Sequence, residues 1–208
     1  MSEASFDPFR CLGLPRRPRV DKAELQTAYL KRAKEAHPDQ QNEPNANLST
    51  ANDEAAAINR AYQVLGDEVA ALRIFLELES DLQTKDDRSV PANLVDLFMK
   101  IGPLFQQADK LSQELENEQS AILKARLHVS AAPLMEQLEQ LTAQLTQSLT
   151  EIRERLQQLD TAWCELSNAD DSSKNTALSQ LTDHFRSLSF LQRWQQAATE
   201  KSFRLTPM

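Results

Sequence analysis

Between residues 134 and 166 an apolar side chain returns every three or four positions without a break: Leu134, Leu138, Leu141, Leu145, Leu149, Ile152, Leu156, Leu159, Trp163 and Leu166. A helix completes a turn in ~3.6 residues, so this spacing lines them up on one stripe over about eight turns. A strand would scatter them over both faces. No charge alternation flanks the seam as it would in a free coiled coil, so the stripe predicts an intramolecular core. Pro133 is the expected first residue of this helix. Its partners are legible on either side. Pro91 to Met99 opens a helix with an apolar start, and Gly102-Pro103 should kink or break it. Helical patterning resumes from Leu104 to Leu127. After a turn over 168–173, a last helix carries Leu178, Leu181, Phe185, Leu188, Leu191 and Trp194. Three long helices joined by short turns pack most simply as an antiparallel bundle.

The chain has 208 residues but only 3 Gly, few β-branched residues, and much Leu, Gln, Ala and Glu. Straight-chain side chains lose little rotamer freedom in a helix, so an all-α protein is expected. The net charge of -8 argues against a nucleic-acid binder. Basic residues cluster locally, at Arg16, Arg17, Arg19 and Lys22 and at Lys31, Arg32 and Lys34, which suits docking to an acidic protein partner. Cys11 and Cys164 have no ligand-spaced companions and read as buried or half-buried thiols in a reducing cytosol. The acidic N-terminus does not read as a signal peptide, and no apolar run approaches the ~20 residues of a membrane span. A cytoplasmic protein without membrane contact is expected.

The N-terminal third has its own pattern. Phe6, Phe9 and Leu12 repeat at three in a short helical turn closed by Gly13. A basic connection from Arg16 to Val20 follows. Asp21 is a good N-cap with Glu24 three residues on. The helix it opens runs to about Ala36, with Leu25, Ala28, Tyr29 and Ala36 inward and Lys31, Arg32, Lys34 and Glu35 outward. Then comes His37-Pro38-Asp39, where Pro38 must stop the helix. A polar loop leads to a second helix near Thr50, with Ile58, Ala61, Tyr62 and Leu65 as its stripe and Gly66 as its C-terminal glycine. A short segment from Val69 to Leu78 closes the unit. Residues 79–90 are charged and polar and read as a linker.

These pieces together resemble a J-domain over residues 6–78. Phe6-Asp7-Pro8-Phe9, Leu12-Gly13-Leu14, the basic second helix, His37-Pro38-Asp39 and residues 58–65 carry the resemblance. Residues 73–78 and 185–191 are similar to stretches of the HscB/Jac family of iron–sulfur cluster co-chaperones, whose members pair an N-terminal J-domain with a C-terminal three-helix bundle. The expected layout is therefore a J-domain over 1–78, a linker over 79–90 and a bundle over 91–208. The resemblance implies two partners, a DnaK/HscA-type ATPase at the J-domain and the iron–sulfur scaffold protein on one face of the bundle. It carries Leu94, Val95, Phe98 and Phe190 over to the scaffold face. The family's further acidic positions fall near Met99, Gly102 and Gln106, where this chain has none.

In such a protein Lys31, Arg32 and Lys34 steer and dock an acidic groove. Asp39 offers a carboxylate to a partner arginine, Pro38 fixes the loop, and His37 places a hydrogen-bonding ring beside it. The effect on the ATPase is a population shift in the partner rather than bond chemistry. Core packing is the default reading of Leu94, Val95, Phe98, Met99 and Phe105, with an exposed peptide-binding patch as the alternative. His128 and His184 read as surface or satisfied histidines. With no phosphate loop and no nucleophile–base constellation, no enzyme, metal or cofactor is expected. The expected function is a co-chaperone that stimulates a DnaK/HscA-type ATPase and presents the scaffold protein. The alternative is a J-domain protein whose bundle binds another client or oligomerises while recruiting a general DnaK-type chaperone.

Overall fold

Seven helices make up the chain among the described residues, with no strand. The computed structural model describes residues 6–36, 48–80, 89–166 and 170–206, with side chains except at 48–52. The elements are α1 (Pro8–Leu12), α2 (Lys22–Glu35), α3 (Leu48–Gly66), α4 (Glu68–Glu79), a 3₁₀ turn (Ala92–Leu94), α5 (Val95–Asn117), α6 (Ala121–Glu165) and α7 (Asp171–Leu205).

Local chemistry sets the ends of the short helices. Asp7 caps α1 by accepting from the Arg10 amide at 3.1 Å, and Pro8 occupies the first turn, where a missing N–H costs nothing. Gly13 ends α1 in the left-handed region at φ 69°, where its N–H and that of Leu14 return to α1 carbonyls. Asp21 accepts from the amides of Ala23 and Glu24 at 2.9 and 3.0 Å, as expected of an N-cap. Gly66 behaves differently from the expectation. Its φ is not positive, and the chain turns at Asp67, whose carboxylate accepts from the Ala70 amide at 2.7 Å to start α4. A good cap for the next helix removes the need for a left-handed stop to the previous one.

The long helices correct two further expectations. Gly102-Pro103 does not break α5, and Pro133 lies inside α6, which begins twelve residues earlier at Ala121. Each proline withholds an N–H from the carbonyl one turn back, a loss of ~3 kcal/mol in an isolated helix. Buried residues on both sides of each proline hold the helix together: Leu97 and Ile101 before Pro103 with Ala108 and Leu115 after it, and Ala131 before Pro133 with Leu134 and Leu138 after it.

By contacts the chain divides into two units. The first comprises Met1–Asp87 and Leu156–Phe185, and the second Arg88–Arg155 and Arg186–Met208. The expected 91–208 bundle is thus shared: its hairpin tip groups with the N-terminal helices. In the first unit α1, α2 and α4 pack against α3 around Phe9, Leu25, Ile58, Leu72 and Phe75. The Trp163 ring meets Phe75 edge-on at 5.1 Å, so the end of the long apolar stripe serves this core. Asp160 is 4% exposed. It accepts from Arg17 Nη2 at 2.6 Å and from the Arg19 amide at 3.2 Å. In the second unit the core runs through Leu138, Leu145, Leu149, Leu188 and Leu191. A pair between Lys201 and Asp109 ties α7 to α5, with the ammonium also lying over the Phe105 ring.

Two substitutions test this packing. Asp160→Ala strips the carboxylate from Arg17 and from the Arg19 amide, and should cost about 2 kcal/mol in urea unfolding. Ser112 Oγ is buried without a hydrogen-bond partner. Ser112→Ala should therefore stabilise the second unit by about 1 kcal/mol, read as a higher unfolding midpoint.

Candidate functional site

The basic face begins on α2. Lys31 and Lys34 are exposed, while Arg32 is half-buried. Arg32 Nε donates to the Cys11 carbonyl at 3.0 Å, and Arg32 Nη1 pairs with Glu35 at 3.2 Å. So the expected trio splits into two ammonium groups that are exposed and in no ion pair among the described residues, and one guanidinium that ties α2 to the end of α1. Arg32 and Lys34 also lie in the last turn, where positive charge complements the helix dipole. The basic connection is engaged internally as well. Arg16 pairs with Asp7 at 2.7 Å and with Glu79 at 3.4 Å, and Arg17 with Asp160. Neither offers a free charge to a partner, contrary to the expectation for that cluster.

Leu30, 58% exposed beside Lys31 and Lys34, is a surface residue the sequence reading missed. The signal was available, since Leu30 falls out of phase with Leu25, Ala28, Tyr29 and Ala36. Behind this face α2 and α3 are locked together. Tyr29 Oη donates to Asn59 Oδ1 at 2.9 Å, and the Tyr29 and Tyr62 rings are 4.4 Å apart. His37, Pro38 and Asp39 lie outside the described residues. α2 ends at Glu35, with the Ala36 amide returning to the Arg32 carbonyl, just ahead of that triplet.

The second candidate surface lies in the second unit. Leu94 is 6% exposed and belongs to the core, so it supports the surface from beneath. Val95, Phe98 and Met99 are 43%, 45% and 67% exposed on the first turns of α5. Phe98 stacks on Trp194 at 6.1 Å, Phe190 meets Trp194 at 5.5 Å, and the Arg193 guanidinium lies over the Phe190 ring at 4.7 Å. Phe105 is half-buried beneath Lys201 and packs on the core, so it leaves the candidate patch. Trp194 and Arg193 were missed. Trp194 continues the apolar spacing of α7 and was read as core, and nothing in the spacing marks Arg193.

The two histidines expected to be satisfied are bonded. His128 Nδ1 lies 3.2 Å from the Leu205 carbonyl, and His184 Nδ1 2.7 Å from the Gln180 carbonyl. Cys11 is half-buried and burial pushes its thiol pKa up, whereas Cys164 is exposed rather than buried. Among the described residues no cluster of three or more metal-ligating side chains occurs, and no helix is long and apolar enough to cross a membrane.

Comparison with known proteins follows the same division. Residues 7–71 match the DnaJ domain family, so the N-terminal region is a DnaJ domain. Over 68 residues the chain is 37% identical to DnaJ homolog subfamily C member 16 of Homo sapiens and of Rattus norvegicus. That stretch is 33% of this chain and only 8% of either relative. The whole chain resembles the solved structure of Chaperone HscB from Vibrio cholerae, with a TM-score of 0.55 and 20% identity, over 96% of this chain and 99% of that one. The fold is thus all-α and HscB-like, with a DnaJ domain at its N-terminus.

Asp7 supplies a pH test of the DnaJ region. Burial alone would raise its pKa, but the Arg10 amide and the Arg16 guanidinium outweigh it and hold the carboxyl below the ordinary range. A carboxyl depressed on folding contributes stability above its unfolded value of about 4 and loses it as pH falls through the folded value. Thermal unfolding between pH 6 and pH 2 should show stability falling at the acid end, and Asp7→Asn should flatten that fall.

Proposed function

We propose that this chain is a co-chaperone whose DnaJ domain stimulates the ATPase of a DnaK/HscA-type chaperone and whose C-terminal helices present a client, the iron–sulfur cluster scaffold protein. The observation that carries the first half is the DnaJ match over residues 7–71, which spans His37-Pro38-Asp39 and the α2 face. On that face Lys31 and Lys34 are exposed, so long-range attraction to an acidic groove is available to them. Asp39 then pairs with a partner arginine, while His37 and Pro38 shape the contact. The HscB-like fold and the exposed Val95, Phe98 and Met99, in one cluster with the half-buried Phe190, support the second half.

A second reading keeps the DnaJ function and changes the client. It is favoured by the chemistry around the cluster: Met99, Gly102 and Gln106 stand where the resemblance would place carboxylates, and the Arg193 guanidinium lies over the Phe190 ring. In that reading the bundle serves a different protein or a second copy, and the chaperone recruited is a general DnaK.

Single-turnover ATP hydrolysis by the chaperone should accelerate on adding the wild-type chain and stay at its basal rate with His37→Gln, whose circular dichroism should be unchanged. Raising salt from 50 to 300 mM should weaken the wild-type effect, because free lysines steer the encounter. The client is decided by calorimetry. Scaffold protein should bind the intact chain, and Phe98→Ala with Phe190→Ala should weaken binding by about 2 kcal/mol or more, the loss typical of exposed aromatic anchors. Absence of heat with the intact chain selects the second reading. Leu94→Ala does not serve this test, because it opens a core cavity.

A further inference from the structure

The second unit carries another exposed apolar surface, at the start of α6. Ile122, Leu123 and Val129 are 72%, 46% and 76% exposed. Ala121, Ile122, Ala125, Arg126 and Val129 follow one another along one face of the helix and line an open groove of about 550 Å³. Ala125 makes a notch between the larger Ile122 and Val129, with Ala121 one turn before it, a shape that accepts the side-chain ridge of a second helix. The last turn of α7 lies alongside, with the Leu205 carbonyl 3.2 Å from His128 Nδ1, and it exposes Phe203 by 74%. Apolar side chains gathered at one end of a domain in this way mark a contact surface rather than scatter.

The charge beside the groove chooses the occupant. Arg126 lines it and Lys124 stands next to it, and among the described residues neither is in an ion pair. No carboxylate lines the groove. A second copy of this chain fits poorly, because a two-fold pairing of the same face would bring both Arg126 guanidinium groups into one apolar contact. We infer that this face binds an amphipathic helix of another protein, with the helix's apolar stripe in the Ile122–Val129 notch and carboxylates on its flanks meeting Arg126 and Lys124. This site is separate from the aromatic cluster at Phe98 and Phe190, whose α7 members lie about three to four turns before Leu205.

The test uses the full chain and a designed helical peptide of about 18 residues, five turns, with leucine at helical spacing and glutamate on both flanks. A second peptide has lysine in place of glutamate. Fluorescence anisotropy should show the glutamate peptide bound roughly tenfold more tightly than the lysine peptide. Ile122→Ser with Val129→Ser should abolish that binding, and Arg126→Glu should reverse the preference. These residues are exposed, so helicity and ATPase stimulation should be unchanged, which keeps the outcome separate from that of the co-chaperone reading. Equal affinity for the two peptides, or affinity untouched by the Ile122 and Val129 changes, overturns the inference. So does a dimer in sedimentation equilibrium that Val129→Ser dissolves, which assigns the face to self-association. Flotation with phosphatidylglycerol vesicles that the same changes abolish assigns it to a lipid surface instead and also overturns it.

Discussion

Burial of the long stripe on α6 is the constraint from which the rest of the architecture follows. A helix of 45 residues is about 68 Å long, and α5, with 23 residues, covers only about half of it. A leucine seam left in water over the remaining turns would forfeit ~2 kcal/mol for each large side chain. The chain meets the demand with two cores. Leu138, Leu145 and Leu149 are fully buried in the second unit, and from Leu156 onward the stripe belongs to the unit that contains the N-terminal helices. Phe75 against Trp163 is the aromatic part of that second core.

A buried carboxylate needs donors, and Asp160 shows how the basic connection supplies them. Arg17 and the Arg19 amide satisfy it, while Arg16 bridges Asp7 and Glu79. Arg32 reaches the Cys11 carbonyl. In each case the arginine does the internal work, and the lysines at 31 and 34 stay in water. The division follows from the side chains. A guanidinium presents a planar fork of donors and sheds water easily, whereas an ammonium is compact and strongly hydrated. Around the N-terminal helices positive charge is therefore of two kinds, arginines engaged within the fold and lysines at the surface, whereas in the second unit Lys201 is engaged with Asp109.

Two apolar surfaces in the second unit differ in the same chemical terms. At the start of α5 the exposed groups are aromatic or thioether, stacked on one another through Trp194. At the start of α6 they are aliphatic, spaced by alanines and bordered by Arg126 and Lys124, which are in no ion pair among the described residues. The first resembles a platform for side chains, the second a notch for a helix.

The sequence by itself determined whatever depends on neighbours along the chain. It gave the all-α class, the cap at Asp21, the end of α2 ahead of His37, and the phase of the stripes, because hydrogen bonds and helical periodicity act over a few residues. It also carried the DnaJ signature. Only the tertiary structure decided which long-range partner each face meets. Leu94 looked as available as Phe98 yet is buried, Trp194 looked like core yet is part of a surface cluster, and Arg32 looked free yet is bound. Gly102-Pro103 looked like a kink or break and Pro133 like a helix start, but burial on both sides of each proline outweighs one lost hydrogen bond. The reason is the same throughout: the period of a sequence says which residues share a face, and only packing says what that face touches.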